Sequence, residues 1–142
     1  MATTPKRKTN ALPPAEVNKE SAQVLGKSFW KLVQLYGFNR EEQAILLGVN
    51  PEYRQRLVSM EKQGLVPIDP DKFQRVGNLL GIHKNLRIMF PHNRELVYSW
   101  MRTPREMFQG KSAIGFIKDD PVNSFARIFT VRRVLDQIRV GF

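Results

Sequence analysis

The sequence predicts an all-α protein, a helical bundle with an amino-terminal helix-turn-helix-like unit and a carboxyl-terminal helical domain. Three observations lead there. Apolar residues recur at spacings of three and four. No stretch keeps the strict alternation of a half-buried strand. Helix start and stop signals punctuate the chain, with connections of two to ten residues between them.

From Ala15 to Tyr36 the positions Ala22, Leu25, Phe29, Leu32, Val33 and Tyr36 make one face of an amphipathic helix, closed by Gly37. Asn39 is placed to cap the next helix, and Glu42 occupies the reciprocal position of a capping box. Ala44, Ile45 and Leu47 carry that helix to Gly48, a residue suited to the left-handed position after a helix end. Asn50-Pro51 repeats the start signal for a third helix bearing Tyr53, Leu57, Val58 and Met60, ended by Gly64. Asp69-Pro70-Asp71 opens a fourth, with Phe73, Val76, Leu79 and Leu80, expected to stop at Gly81. "IHKNLRIMF" then reads as a short fifth helix ended by Pro91. Asn93 caps a sixth, Arg94 to Met101; Ser112 caps a short seventh; Asn123 caps a long last helix reaching about Arg139.

With 142 residues the chain makes one ordinary domain or two very small ones, large enough to need no disulfide or metal staple. It has no Cys, which fits a reducing compartment. No apolar run approaches the roughly 20 residues that span a bilayer, and "MATTPKRKTN" lacks the apolar core of a secretory signal. A soluble, cytoplasmic protein with no membrane partner is expected. Its net charge is +10, with 12 Lys/Arg against 8 Asp/Glu in residues 1–81 and 11 against 5 in residues 82–142. The excess is therefore spread along the chain and favours a polyanion or an acidic protein surface as partner. Residues 1–14, with Lys6-Arg7-Lys8 and three prolines, read as a disordered basic arm that lies along phosphates or simply solubilises.

"FNREEQAILLGVNPEYRQRL" holds two short helices joined at Gly48. A small residue, Ala44, a turn Gly four later and an apolar Val49 follow the packing logic of a helix-turn-helix, whose second helix enters the major groove. The candidate DNA-binding residues are Asn50, Tyr53, Arg54 and Arg56, the two arginines being best placed for a base edge or a phosphate. Arg54 stands where such a unit usually has its aliphatic anchor, so Tyr53 or Leu57 has to take that role. The alternative is a plain helical hairpin that reads nothing.

In "WMRTPREMFQGKSAIGFI" the aromatics Trp100, Phe108 and Phe116 lie on three consecutive segments bent at Pro104 and Gly110. Their simplest role is to lock a corner that holds neighbouring surfaces rigid. The last helix differs. At about 100° per residue, Val122, Phe125 and Phe129 fall on one side, while Ile128, Val131, Val134, Leu135 and Ile138 spread over another. Together they cover more circumference than one core-facing stripe needs. Either the helix is surrounded by its own domain, or it presents an apolar partner surface rimmed by Arg127, Arg132, Arg133 and Arg139.

The carboxyl-terminal half resembles the toxin-binding domain of the Xre/MbcA/ParS-type antitoxins, through "LLGIHKNLRIMFP", "LVYSWMRTPREMFQGKSAIGFI" and the final "VRRVLDQIRVGF". The first half is less closely similar to the Xre-type helix-turn-helix of that family. After the basic arm over 1–14, the resemblance implies a helix-turn-helix domain over 15–78 and a toxin-binding domain over 79–142. It also implies an antitoxin that occludes a RES-type toxin, an enzyme consuming NAD or transferring its ADP-ribose, and that represses its own promoter. Operator DNA, the cognate toxin, and a homodimer or larger hetero-complex are the implied partners. Phe125, Arg132, Arg133, Arg139, Val140, Gly141 and Phe142 are the candidate toxin contacts. Two residue patterns depart from the family: Arg54 at the anchor position, and "KDDPVNSF" in place of a loop that is often shorter and richer in glycine.

No catalytic set, metal or cofactor is expected. His83 and His92 lack partnering ligands and read as solvent or capping residues. Ser59 to Lys62 matches S-x-x-K without its companion motifs, and Asp119-Asp120-Pro121 is turn chemistry. Two other functions fit the residues: a stand-alone DNA-binding regulator, favoured by the basic arm, and a helical adaptor or inhibitor without DNA binding, favoured by Arg54.

Overall fold

The structure is a computed structural model that describes residues 14–141, with side chains from residue 20 onward. Seven α-helices are present and no strand among the described residues. They are α1 (Pro14–Tyr36), α2 (Arg40–Leu47), α3 (Arg54–Gln63), α4 (Pro70–Met89), α5 (Arg94–Ser99), α6 (Ala113–Lys118) and α7 (Ser124–Arg139). Single 3-10 turns precede α3 (Pro51–Tyr53) and α7 (Pro121–Asn123), and two more shape the α5–α6 connection (Trp100–Arg102 and Glu106–Phe108). The all-α expectation holds. Pro14, counted with the arm from sequence, is instead the first residue of α1, where its fixed φ and missing N–H cost nothing. The rest of the arm, residues 1–13, lies outside the described residues.

The start signals act through the expected atoms. Glu42 N–H donates to Asn39 Oδ1 at 2.8 Å and Asn39 N–H donates back to Glu42 Oε1 at 3.0 Å, a complete capping box. Asp69, Asn93 and Ser112 accept from Lys72, Leu96 and Gly115 N–H at 2.9, 3.0 and 3.0 Å. Asn123 does not cap α7: its side chain donates to Asp120 Oδ2 at 2.8 Å instead, because the preceding turn brings that carboxylate within reach.

The predicted helix break at Gly81 is absent, and the fourth and fifth helices are one continuous α4. Glycine here answers a packing demand. A Cβ on Gly81 would lie 2.5 Å from Arg132 Nε and 2.6 Å from its Cζ, so the missing side chain makes room for a guanidinium from α7. The core stripe continues through the glycine in unbroken register, with Val76, Leu79, Ile82 and Leu86 all buried. Consequently the expected division at residues 78 and 79 falls inside a helix.

One buried apolar cluster runs from Leu25 on α1 to Leu135 on α7 and includes residues from both halves of the chain. Its axis is the pair α4 and α7, the most extensively packed helices. They run parallel, since Arg75 bonds to Ser124 near both starts and Asn85 bonds to Asp136 near both ends. On the opposite side, Gly26 lets the α3 end approach α1, because a Cβ there would stand 2.1 Å from Gly64 O. Trp30 Nε1 secures that contact by donating to Leu65 O at 2.8 Å.

Candidate partner-binding site

Helix α7 divides its two apolar sets as the wheel suggests. Ser124, Ile128, Val131 and Leu135 are buried against α4 and the core. Phe125 (37% exposed) and Phe129 (44%) face out, continued by Val122 (90%) in the turn just before the helix, and Ile138 and Val140 are exposed at the far end. A helix centred in its own domain would have no such remainder, so the face is unpartnered among the described residues.

The arginines of the rim have different employments. Arg132 Nη1 donates to Asn78 Oδ1 at 3.1 Å while its Nε lies 3.8 Å from Asp136. Arg139 Nε donates to Asn85 Oδ1, whose amide in turn donates to Asp136 Oδ1 at 2.8 Å. Asn78 and Asn85 are buried, so Arg132 and Arg139 satisfy polar groups in the α4–α7 seam. Arg127 fastens α7 to α6, donating to Phe116 O at 2.8 Å and lying 4.4 Å over the Phe116 ring. Arg133 turns outward, 5.9 Å from the exposed Phe129 ring. Of the candidate contacts, Phe125, Arg133, Arg139, Val140 and Gly141 are thus exposed, Arg139 while bonded to Asn85, and Arg132 is half-buried in the seam. Phe142 lies outside the described residues.

The corner beneath this face is a ladder of rings and guanidinia. Arg105 lies 4.3 Å over Trp100; Trp100 meets Phe108 edge-on at 6.3 Å; Phe108 stacks on Phe116 at 5.2 Å; and Arg127 closes the far end. Arg105 Nε is a buried donor with no hydrogen-bond acceptor, and the Trp100 face takes that place. The backbone folds around Arg105, whose N–H donates to Lys111 O at 3.0 Å and whose carbonyl accepts from Gly110 at 2.9 Å. The aromatic corner is scaffold, as expected from its three rings.

Residues 85–141 match the family model of the antitoxin Xre/MbcA/ParS C-terminal toxin-binding domain. By that match the carboxyl-terminal part of the chain is similar to the toxin-binding domain of the Xre/MbcA/ParS antitoxins. No curated protein and no solved structure matches the chain significantly. The toxin-binding domain as matched starts inside α4 and takes in the Arg105–Arg127 ladder and all of α7. Its outward apolar face, Val122, Phe125 and Phe129, therefore lies wholly within a domain whose relatives bind toxins.

Ahead of the toxin-binding domain, α2 and α3 meet at Gly48, in the left-handed conformation with φ 70°. Val49 N–H closes the turn on Ala44 O at 2.9 Å. Leu57 is 1% exposed and anchors α3, while Tyr53, Arg54 and Arg56 are exposed. The anchor thus moves three residues along from the position Arg54 occupies, and Arg54 is free to face solvent. Asn50 spends its side-chain oxygen on Glu52 N–H at 2.9 Å, and Arg56 stacks on Tyr53 at 5.2 Å. The four candidate DNA-binding residues share one exposed end of α3 beside Arg40 and Pro51.

His83 is neither a capping nor a solvent residue. It is half-buried and its Nδ1 shares a hydrogen bond of 2.9 Å with the Tyr36 hydroxyl. Burial, then the charge of Arg87, holds the imidazole below its ordinary range, which favours its neutral form. Burial and the neighbouring Tyr98 push the Tyr36 hydroxyl up. The Ser59 hydroxyl accepts from Gln63 at 3.2 Å, and Asp119 and Asp120 pair with Lys111 and Arg127 at 2.6 and 3.5 Å. Among the described residues no cluster of His, Asp and Glu is placed to hold a metal, and no helix is long and apolar enough to cross a membrane.

Proposed function

We propose that the protein is the antitoxin of a RES-class toxin and inhibits it by occlusion. The outward face of α7 and the chain end cover the entrance of the toxin's NAD-binding cleft, and no reaction is performed by the antitoxin itself. The observation that carries this reading is the unpartnered face Val122, Phe125 and Phe129 within the toxin-binding match. Arg133 and the chain's +10 charge add attraction toward a cleft shaped around a pyrophosphate or lined with acids. The α2–α3 unit, exposing Tyr53, Arg54 and Arg56, binds operator DNA and represses the shared promoter, in a homodimer or larger hetero-complex.

The test is neutralisation. Co-expression with a RES-class toxin should restore growth, and the double variant Phe125→Glu, Phe129→Glu should abolish the rescue while keeping its helical circular dichroism. Undiminished rescue by the folded double variant would overturn the docking face. For DNA, Arg54→Ala and Arg56→Ala should each flatten the salt dependence of operator binding by about one unit of slope. Binding that is insensitive to both assigns operator contact elsewhere.

A further inference from the structure

Arg75 is buried in the body of α4, yet it touches two surfaces that share no residue. Its Nε donates to both oxygens of Asp71 at 2.9 and 3.0 Å, which fixes the guanidinium plane. Its Nη1 donates to Ser124 Oγ at 2.8 Å, at the start of α7, and reaches Ile45 O and Leu46 O at 3.3 Å each. Those two carbonyls belong to the last turn of α2, where Ile45 O otherwise accepts only from Gly48 N–H at 3.2 Å. The guanidinium lies against Gly48 so closely that a Cβ there would stand 2.5 Å from Cζ. Its other side faces the Phe125 ring, 5.5 Å from the centroid.

We propose that Arg75 is a positioning residue that couples the α2–α3 turn to the Phe125 face of α7. Phe125 is more than a third open to water, so its attraction for the guanidinium is partly screened. A partner that covers the ring removes that water and strengthens the cation–π contact. Arg75 is then held more firmly in the one arrangement that also fastens the carbonyls of Ile45 and Leu46 and fills the space over Gly48. The turn that aims Asn50, Tyr53, Arg54 and Arg56 stiffens in consequence. By linkage, a ligand that holds the turn favours the same arrangement at Phe125. Only a planar fork with several fixed donors spans these acceptors at once; a lysine ammonium has the charge without the reach. The regulatory meaning of the coupling rests on the proposed antitoxin role, but the coupling itself is a property of the free chain.

Amide hydrogen exchange on the full chain tests it. The probes are the N–H groups of Gly48 and Val49, which bond to Ile45 O and Ala44 O. Phe125→Ala should speed exchange at both by roughly two- to five-fold, and Phe129→Ala, on the same exposed face but away from Arg75, should leave both unchanged. In an Arg75→Lys background the turn should exchange fast already, and adding Phe125→Ala should change nothing more. Ser124→Ala, which removes the α7 acceptor and no ring, should also speed the turn, and serves if Arg75→Lys does not fold. Equal responses to Phe125→Ala and Phe129→Ala, or an unmoved turn in Phe125→Ala, would overturn the proposal. So would full additivity with Arg75→Lys. A chain that shows the coupling yet fails to neutralise a toxin would reject the antitoxin role alone.

Discussion

Both oxygens of the Glu42 carboxylate lie on the Arg102 guanidinium, at 2.8 and 3.0 Å, across a chain separation of 60 residues. Glu42 is 2% exposed, and Arg102 also donates to Gly37 O at 2.7 Å, so one ion pair joins α1, α2 and the aromatic corner. Burial alone would raise the Glu42 pKa; the hydrogen bonds from Arg102 and Asn39 outweigh it and hold the carboxyl below its ordinary range. A depressed folded pKa means stability that is complete above the unfolded value and lost as pH falls through the folded one. Arg102→Ala should cost about 3 kcal/mol at pH 7. That is the low end for an orphaned buried charge, because Lys118 remains 3.4 Å away and water reaches the vacated side. Urea titrations at pH 7 and near pH 4 should show the difference between wild type and variant shrinking in acid, where Glu42 in the variant takes up a proton.

Two glycines of α4, four residues apart, should respond oppositely to the same change. A methyl group added at Gly77 would have nothing within 4 Å of it, so Gly77→Ala should stabilise by roughly 0.5–1 kcal/mol through helix propensity. Gly81→Ala meets Arg132 at 2.5 Å and should expel that side chain from Asn78, for a net loss of about 1 kcal/mol. Thermal melts of the two single variants decide the matter, and equal shifts would refute the close-approach account of Gly81.

Phe108 is the middle rung between Trp100 and Phe116 and is buried. Phe108→Ala should cost about 3–5 kcal/mol, whereas Met107→Ala beside it, half exposed, should stay within about 0.5 kcal/mol. Chemical denaturation measures both.

Removal of Val140 to Phe142 should leave the melting temperature nearly unchanged, because Val140 is 70% exposed and Gly141 is exposed. On the antitoxin reading, the same truncation weakens toxin neutralisation. Calorimetry of the free chain and growth rescue separate the two effects.

Local chemistry makes most of the helices legible. Asn39, Asp69, Asn93 and Ser112 cap because their side chains meet an N–H three residues on, a relation carried entirely by adjacent sequence. Gly81 and Asn123 mislead for the complementary reason: what decides them is Arg132 arriving from α7 and Asp120 arriving from the preceding turn. The outward Phe125 and Phe129 are visible as a surplus on the wheel of α7, since a helix cannot bury more circumference than its neighbours cover. The fate of each arginine is not. Arg132 and Arg139 look like Arg133 in the sequence, and only the buried Asn78 and Asn85 on α4 separate them. Those asparagines, with Arg75, repeat at helical spacing along one side of α4, a polar stripe that signals a hydrogen-bonded seam once it is noticed. The Trp30–Leu65 and Tyr36–His83 contacts have no comparable local signal.

The parallel pairing of α4 with α7 means that the core stays open until α7 has been made and has docked. Every earlier fragment lacks Ile128, Val131 and Leu135 and leaves the apolar side of α4 bare to proteases. The helix that shuts the core from within is also the one with a free outer side. A companion that grips that outer side therefore slows the opening of the whole molecule, and the protein's lifetime in a cell becomes tied to how much of that companion is present.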